Sequence, residues 1–181
     1  MRAFVALYPD EEARSRIADV APDDDGAWRV SDMADWHVTL RFLGELDASG
    51  LDLVARALVP ALASMDPFTV RLGPITALGT SARVLFVPAD GAQDAARAVD
   101  LAVGDLAEPR DRPFRGHLTI ARARGRGRLP GGWTGQPIHA DFSASEAALV
   151  VSRLEPARAV HRVVARFAFG EGIRQGEQVF V

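Results

Sequence analysis

Four histidines occur in this chain, at positions 37, 117, 139 and 161, and two of them stand in near-identical settings, WHVTL and GHLTI, 80 residues apart. A single His-x-Thr arises by chance in roughly one such chain in five, and a pair with apolar residues on both flanks in roughly one in a hundred. If each motif lies on a strand, the period of two puts His37 beside Thr39 and His117 beside Thr119, ~7 Å apart along one face. Two such strands facing one another make a polar pocket with two groups titrating near pH ~6.5 and two short hydroxyl donors. That set suits phosphodiester cleavage. One neutral imidazole takes a proton from the attacking water, the other, protonated, gives one to the departing oxygen, and the hydroxyls hold non-bridging phosphate oxygens. Acid–base groups of this kind supply ~10²–10⁴-fold each, and a strained five-membered cyclic phosphate lowers what the protein must add. Both histidines start from one intrinsic pKa, so their types alone do not say which is acid and which is base.

Two other readings compete. Each motif could be a core strand with a satisfied histidine and a strand-favouring threonine, or the pair could hold zinc, for which histidine is the commonest ligand. Repetition weighs against the first, and the lack of a His-x-x-x-His spacing against the second. No metal and no cofactor is expected. His139 and His161 read as ordinary strand or surface histidines.

Seven arginines, Arg110, Arg112, Arg115, Arg122, Arg124, Arg126 and Arg128, crowd around the second motif. They make either a phosphate-receiving patch or a solvated loop. Strict alternation puts Arg122 on the face opposite His117, so its access to the pocket needs a bend or a strand end. Phe114 and Trp36 are candidates to stack on a base, or to fill the core.

The elements that must position these groups follow from hydropathic period. RAFVALY (Arg2 to Tyr8) suits a buried strand, and Asp10 opens a helical pattern through Ala21. Asp23, Asp24 and Asp25 before Gly26 read as a solvated turn. Trp36 to Leu43 alternates, with Trp36, Val38, Leu40 and Phe42 on the buried face and His37, Thr39 and Arg41 on the polar one. A helix is expected over Ser49 to Ala63, strands in FTVRLGPI and over Arg83 to Ala89, an amphipathic helix over Gly91 to Leu106, and a polar-faced strand over Gly116 to Arg122. Gly125 to Gly135 reads as loop; GRGRLPGG within it fails the dinucleotide fingerprint. Strands are expected at Ile138 to Ser143, Ala147 to Leu154 and Ala159 to Phe169. Helix, loop and His-x-Thr strand thus occur twice, which points to two similar halves about a pseudo-two-fold axis.

Of the 181 residues 48% are hydrophobic and 25% charged, enough for one compact core. No apolar run approaches the ~20 residues that span a bilayer, and the opening segment is not signal-like, so a cytoplasmic protein without membrane contact is expected. The chain has no cysteine, which excludes thiolate chemistry and disulfides, and no lysine, which excludes Schiff-base and P-loop chemistry. Net charge is −3. A small ligand or an RNA end fits that charge better than a long duplex footprint.

MRAFVAL, WHVTLRFLGEL, RPFRGHLTIARAR and LVVSRLEPARAVHRVVARF are spread over nearly the whole chain, and in that order the sequence resembles the 2H phosphoesterases, specifically the RNA 2′,3′-cyclic phosphodiesterases, also named 2′-5′ RNA ligase-like proteins. The resemblance implies an α+β fold, one domain over 1–181 with two pseudo-symmetric lobes of antiparallel sheet, outer helices and a central cleft. It implies metal-independent hydrolysis of an RNA terminal 2′,3′-cyclic phosphodiester to a 2′-phosphomonoester, with His37 as proton donor, His117 as acceptor, and Thr39 and Thr119 on the phosphate. Phe114 and Arg122 complete the expected substrate contacts. The expected partners are RNA ends or nucleotides carrying a cyclic phosphate, with no obligate protein partner. Alternatives are a sibling activity on 2′-5′ linked oligonucleotides or small cyclic nucleotides, and an RNA-end-binding module with weak turnover. Gly116 stands where the family commonly has Pro and His161 where it tends to have Tyr; the tail after Gly170 has no counterpart.

Overall fold

The apolar run that opens the chain forms strand β1 (Arg2–Leu7), with every residue after Arg2 buried, as a strand covered on both faces requires. The computed structural model describes residues 1–21, 28–78, 83–110, 112–124, 133–154 and 159–170. The acidic turn at 23–26 and most of the Gly125 to Gly135 stretch lie outside them. Asp10 caps α1 (Glu11–Ala18), its carboxylate accepting from the Ala13 amide at 2.9 Å. Such a cap contributes about 1 kcal/mol. The helix ends three residues before the expected Ala21.

After α1 come β2 (Trp28–Val30), a 3-10 turn (Met33–Asp35), β3 (Val38–Glu45), α2 (Ala48–Ala63), β4 (Phe68–Leu72), β5 (Ala77–Leu78), β6 (Val84–Asp90) and α3 (Gln93–Val103). The chain continues through β7 (His117–Ala123), β8 (Phe142–Ala144), β9 (Glu146–Leu154) and β10 (Ala159–Ala168). β8 covers only the end of the expected Ile138 to Ser143 strand. The two- and three-residue strands β5 and β2 are too short to show a period.

Strand order is β10-β9-β1-β3-β7-β6-β4-β8, with β2 beside β7 and β5 beside β6, and the pairs are antiparallel. The two His-x-Thr strands are therefore central neighbours, each with three strands beyond it. This is the expected two-lobed α+β arrangement, drawn as one curled sheet.

One face of the sheet carries the main core, where Ala13 and Ile17 of α1, Val54, Leu58 and Leu62 of α2 and Val99 and Val103 of α3 meet Val5, Leu7, Val38, Leu85 and Leu118. Each fully buried aliphatic side chain there contributes roughly 1.5–3 kcal/mol. The other face carries a small cluster of Phe4, Ala6, Ala148 and Val150, flanked by Tyr8 and Val163. That cluster floors the cleft. Among the described residues no helix is long and apolar enough to cross a membrane.

Both central strands break alternation at the same offset. On β3 the register with β1 skips Leu40, passing from Thr39↔Ala6 to Arg41↔Val5; on β7 the register with β6 skips Ile120, passing from Thr119↔Phe86 to Ala121↔Leu85. An extra residue in one strand makes two successive side chains point the same way. Accordingly Leu40 and Arg41 are both buried, as are Ile120 and Ala121. This corrects the expected faces of β3: Arg41 is 8% exposed and Phe42 66% exposed.

A buried arginine needs a partner, and Arg41 has Asp100, 3.0 Å from its Nε, with the Glu108 carbonyl accepting from its Nη2. Arg110 shares the same carboxylate at 3.0 Å and donates to the carbonyl of the skipped Leu40 at 2.8 Å. The bulge in β3 is thus held from α3 and from the segment that precedes β7.

Candidate active site

Each motif histidine is held by the same local bond. The ring Nδ1 of His37 lies 2.6 Å from the Asp35 carbonyl, and that of His117 lies 2.9 Å from the Arg115 carbonyl. A carbonyl only accepts, so Nδ1 carries the proton in both rings and Nε2 is left with a free lone pair. The 3-10 turn, capped by Asp32 on the Ala34 amide at 3.0 Å, places the Asp35 carbonyl, and fully buried Trp36 anchors the chain between them. At the second motif the Gly116 backbone lies against β6. Its carbonyl accepts from the Ala89 amide at 2.9 Å, and a Cβ on it would sit 2.2 Å from the Ala89 carbonyl oxygen. Gly116 therefore answers to a close backbone approach, not to a need for slack.

The two strands meet in register at Val38↔Leu118, both fully buried. Their neighbours on the opposite face follow from the antiparallel ladder: Thr39 stands across from His117 and His37 across from Thr119. The four motif side chains form a block of two imidazoles and two hydroxyls at the centre of the cleft. On β7 the bulge brings Arg122 onto this face, correcting the expectation from strict alternation. Its backbone pairs with Arg29 of β2, and its guanidinium acts electrostatically on His37.

Aromatic rings surround His37. Phe4 stacks on it with centroids 4.9 Å apart, Tyr8 lies at 5.8 Å and His161 meets it edge-on at 5.3 Å. Burial pushes the His37 pKa down to about 4; the Asp35 carbonyl bond opposes this, while His161, Arg122 and His117 add to it. Burial and the Asp35 carboxylate raise the Tyr8 phenol. His117 is exposed, with Phe86 edge-on at 5.5 Å.

Five of the six expected site residues, His37, Thr39, His117, Thr119 and Arg122, therefore share the cleft face. Phe114 does not join them: its half-buried ring packs against the main core beneath the Arg110 guanidinium, 5.8 Å from its centroid. Trp36 is core, not a stacking platform. Arg110 is engaged by Asp100, and Arg126 and Arg128 lie outside the described residues. Four cleft residues were missed, Phe4 and Tyr8 because a continuously apolar first strand gives no sign of which side chains meet His37. Phe42 was hidden by the bulge, and His161, on β10, lies far in sequence from both motifs. Among the described residues no three His, Asp or Glu side chains are grouped to hold a metal ion.

A family model described as the 2′-5′ RNA ligase superfamily matches residues 9–166. A curated relative from Bacillus subtilis (strain 168), an RNA 2′,3′-cyclic phosphodiesterase, is 28% identical over 130 residues, 66% of this chain and 65% of that protein. The chain thus spans just under two thirds of that relative's length. In structure it is similar to TT0787 of Thermus thermophilus, with a TM-score of 0.81 and 25% identity over 94% of this chain and 98% of that one. It also shares the fold of E. coli LigT, solved with 3′-AMP, with a TM-score of 0.75 and 22% identity over the same shares.

Proposed function

The chain belongs to the 2′-5′ RNA ligase superfamily of 2H phosphoesterases, and from that premise we propose that it hydrolyses the 2′,3′-cyclic phosphate at an RNA end to a 2′-phosphomonoester, without a metal. The observation that carries the reading is the Val38↔Leu118 register, which sets two matched imidazoles and two hydroxyls on one face. The cyclic phosphate sits between the histidines, with Thr39 and Thr119 donating to its non-bridging oxygens and Arg122 offsetting its charge. Water attacks phosphorus in line with the bond to O3′. His117 Nε2 takes the water proton, His37 Nε2 gives a proton to O3′ as that bond breaks, and the phosphate stays on O2′. Exposed Phe42, beyond Thr39 on the same face, offers a platform for the base.

The donor role asks that His37 be protonated, whereas burial holds it near 4 in the free protein. The substrate supplies the difference. A unit negative charge ~4 Å away, at an effective dielectric constant of ~20, contributes about 4 kcal/mol, or about 3 pK units. His37 thus takes up its proton together with the anion. The test is an assay of RNA ending in a 2′,3′-cyclic phosphate, with EDTA present and with 2′-5′ linked oligonucleotides and small cyclic nucleotides beside it. Intact cyclic ends in the presence of folded protein would refute the proposal, and preference for another substrate would move it to a sibling activity.

A further inference from the structure

His161 lies on β10, opposite Ser152 of β9, and neither motif includes it. Its ring nevertheless enters the catalytic block, edge-on to His37 at 5.3 Å and to Phe4 at 5.1 Å. The two ring nitrogens differ. Nδ1 is enclosed and has no hydrogen-bond partner; Nε2 makes no hydrogen bond among the described residues and is not enclosed. A second proton on this ring would bury an unpaired N–H, and a charge besides, both of which are costly away from water. Burial accordingly lowers its pKa, opposed by the Asp35 carboxylate and assisted by Arg122. The neutral form with the proton on the open Nε2, which free imidazole also prefers, leaves only a lone pair enclosed. His161 therefore has the opposite polarity from its neighbours: His37 and His117 present a lone pair at Nε2, and His161 presents a hydrogen.

We propose that His161 is a third ligand-contacting imidazole of the cleft, a neutral ring whose Nε2–H donates to an oxygen of the bound nucleotide beside the phosphate held by His37 and His117. This rests on the function proposed above. With a proton already on Nε2, His161 cannot stand in for either motif histidine as base. Its contribution is to binding and placement.

Nitrogen-detected NMR of the full chain, titrated with adenosine 2′-monophosphate at neutral pH, reads the tautomer and the contact without requiring turnover. The expected result is an Nε2–H tautomer at His161 whose Nε2 signal moves as the ligand saturates. An Nδ1–H or doubly protonated ring, no movement, or no binding overturns the proposal. In parallel, His161→Phe, which keeps a ring and loses the donor, is expected to weaken nucleotide binding and kcat/KM by about ten- to a hundredfold, chiefly in KM. His161→Gln, which keeps an N–H donor, is expected to lie within about fivefold of the unaltered protein. A folded His161→Phe protein with unchanged affinity also overturns the proposal. Should the unaltered protein leave every cyclic phosphate intact, the assigned activity fails, while the NMR titration still decides His161.

Discussion

Val38 and Leu118 face each other across the β3–β7 ladder, and this one register pair sets His37 against Thr119 and Thr39 against His117. Both residues are fully buried, so the packing of the main core fixes the alignment of the groups on the opposite face. A slip of one residue would turn either motif into the core.

Loss of either imidazole should therefore remove turnover and leave the fold intact. His37→Ala and His117→Ala are each expected to lower kcat by about 10²–10⁴-fold, and the double variant by little more, because the two act as a unit. Release of cyclic phosphate ends, with a thermal melt as control, measures this. Rate against pH should be bell-shaped, and a single sigmoid would remove one histidine from the mechanism.

Burial of His37 also makes stability depend on pH. Its folded pKa, about 4, lies below the ordinary 6.5, so between those values the unfolded chain binds more protons than the native one. The contribution is fully present above pH ~6.5 and is lost as pH falls toward ~4, by at most about 3 kcal/mol. In urea denaturation at pH 7 and pH 4.5, the unaltered protein should lose more stability than His37→Phe does. Equal losses would contradict a buried neutral ring.

Phe42 is exposed in the free protein, so Phe42→Ala should change stability by less than about 0.5 kcal/mol. Stacking of one base is worth ~1–3 kcal/mol. KM for cyclic-ended RNA should rise about tenfold, whereas kcat should stay within about threefold.

Asp100 joins Arg41 and Arg110 on either side of the β3 bulge. Asp100→Ala leaves the guanidinium of Arg41 buried without its carboxylate, which should cost about 3 kcal/mol and lower activity through a displaced Phe42. Chemical denaturation and steady-state kinetics on one preparation would show both effects.

Gly116→Ala would place a Cβ 2.2 Å from the backbone oxygen of Ala89. Since backbone atoms do not swing aside, the expected outcome is a loss of about 1–3 kcal/mol together with reduced turnover, as His117 follows the shifted chain. A stable, fully active Gly116→Ala protein would show that the two strands tolerate separation there.

The motifs, the major elements and the two halves were legible because each rests on local pattern: the period of two around His37 and His117, the helical period of α2 and α3, and the capping Asp10. What escaped depends on long-range pairing. The skipped Leu40 and Ile120 are set by the neighbouring strands β1 and β6, so period alone exchanged the places of Arg41 and Phe42 and put Arg122 on the wrong face. Likewise, His161 enters the cleft only because β9 and β1 lie between β10 and β3. Phe114, adjacent in sequence to the second motif, was carried to the core side by the turn before β7.

The matched bulges mean that spacing is part of the site's information. Removing the skipped residue, Leu40, would leave a plainly alternating stretch from Val38 to Phe42 in which Arg41 still faces inward and Phe42 still faces the cleft. Removing a paired residue of the same stretch would instead shift every face beyond it. Substitution scanning never alters the number of residues and so cannot detect this property. Single-residue deletions and insertions in β3 and β7 can, and at those two points the strands behave as sequences with a frame.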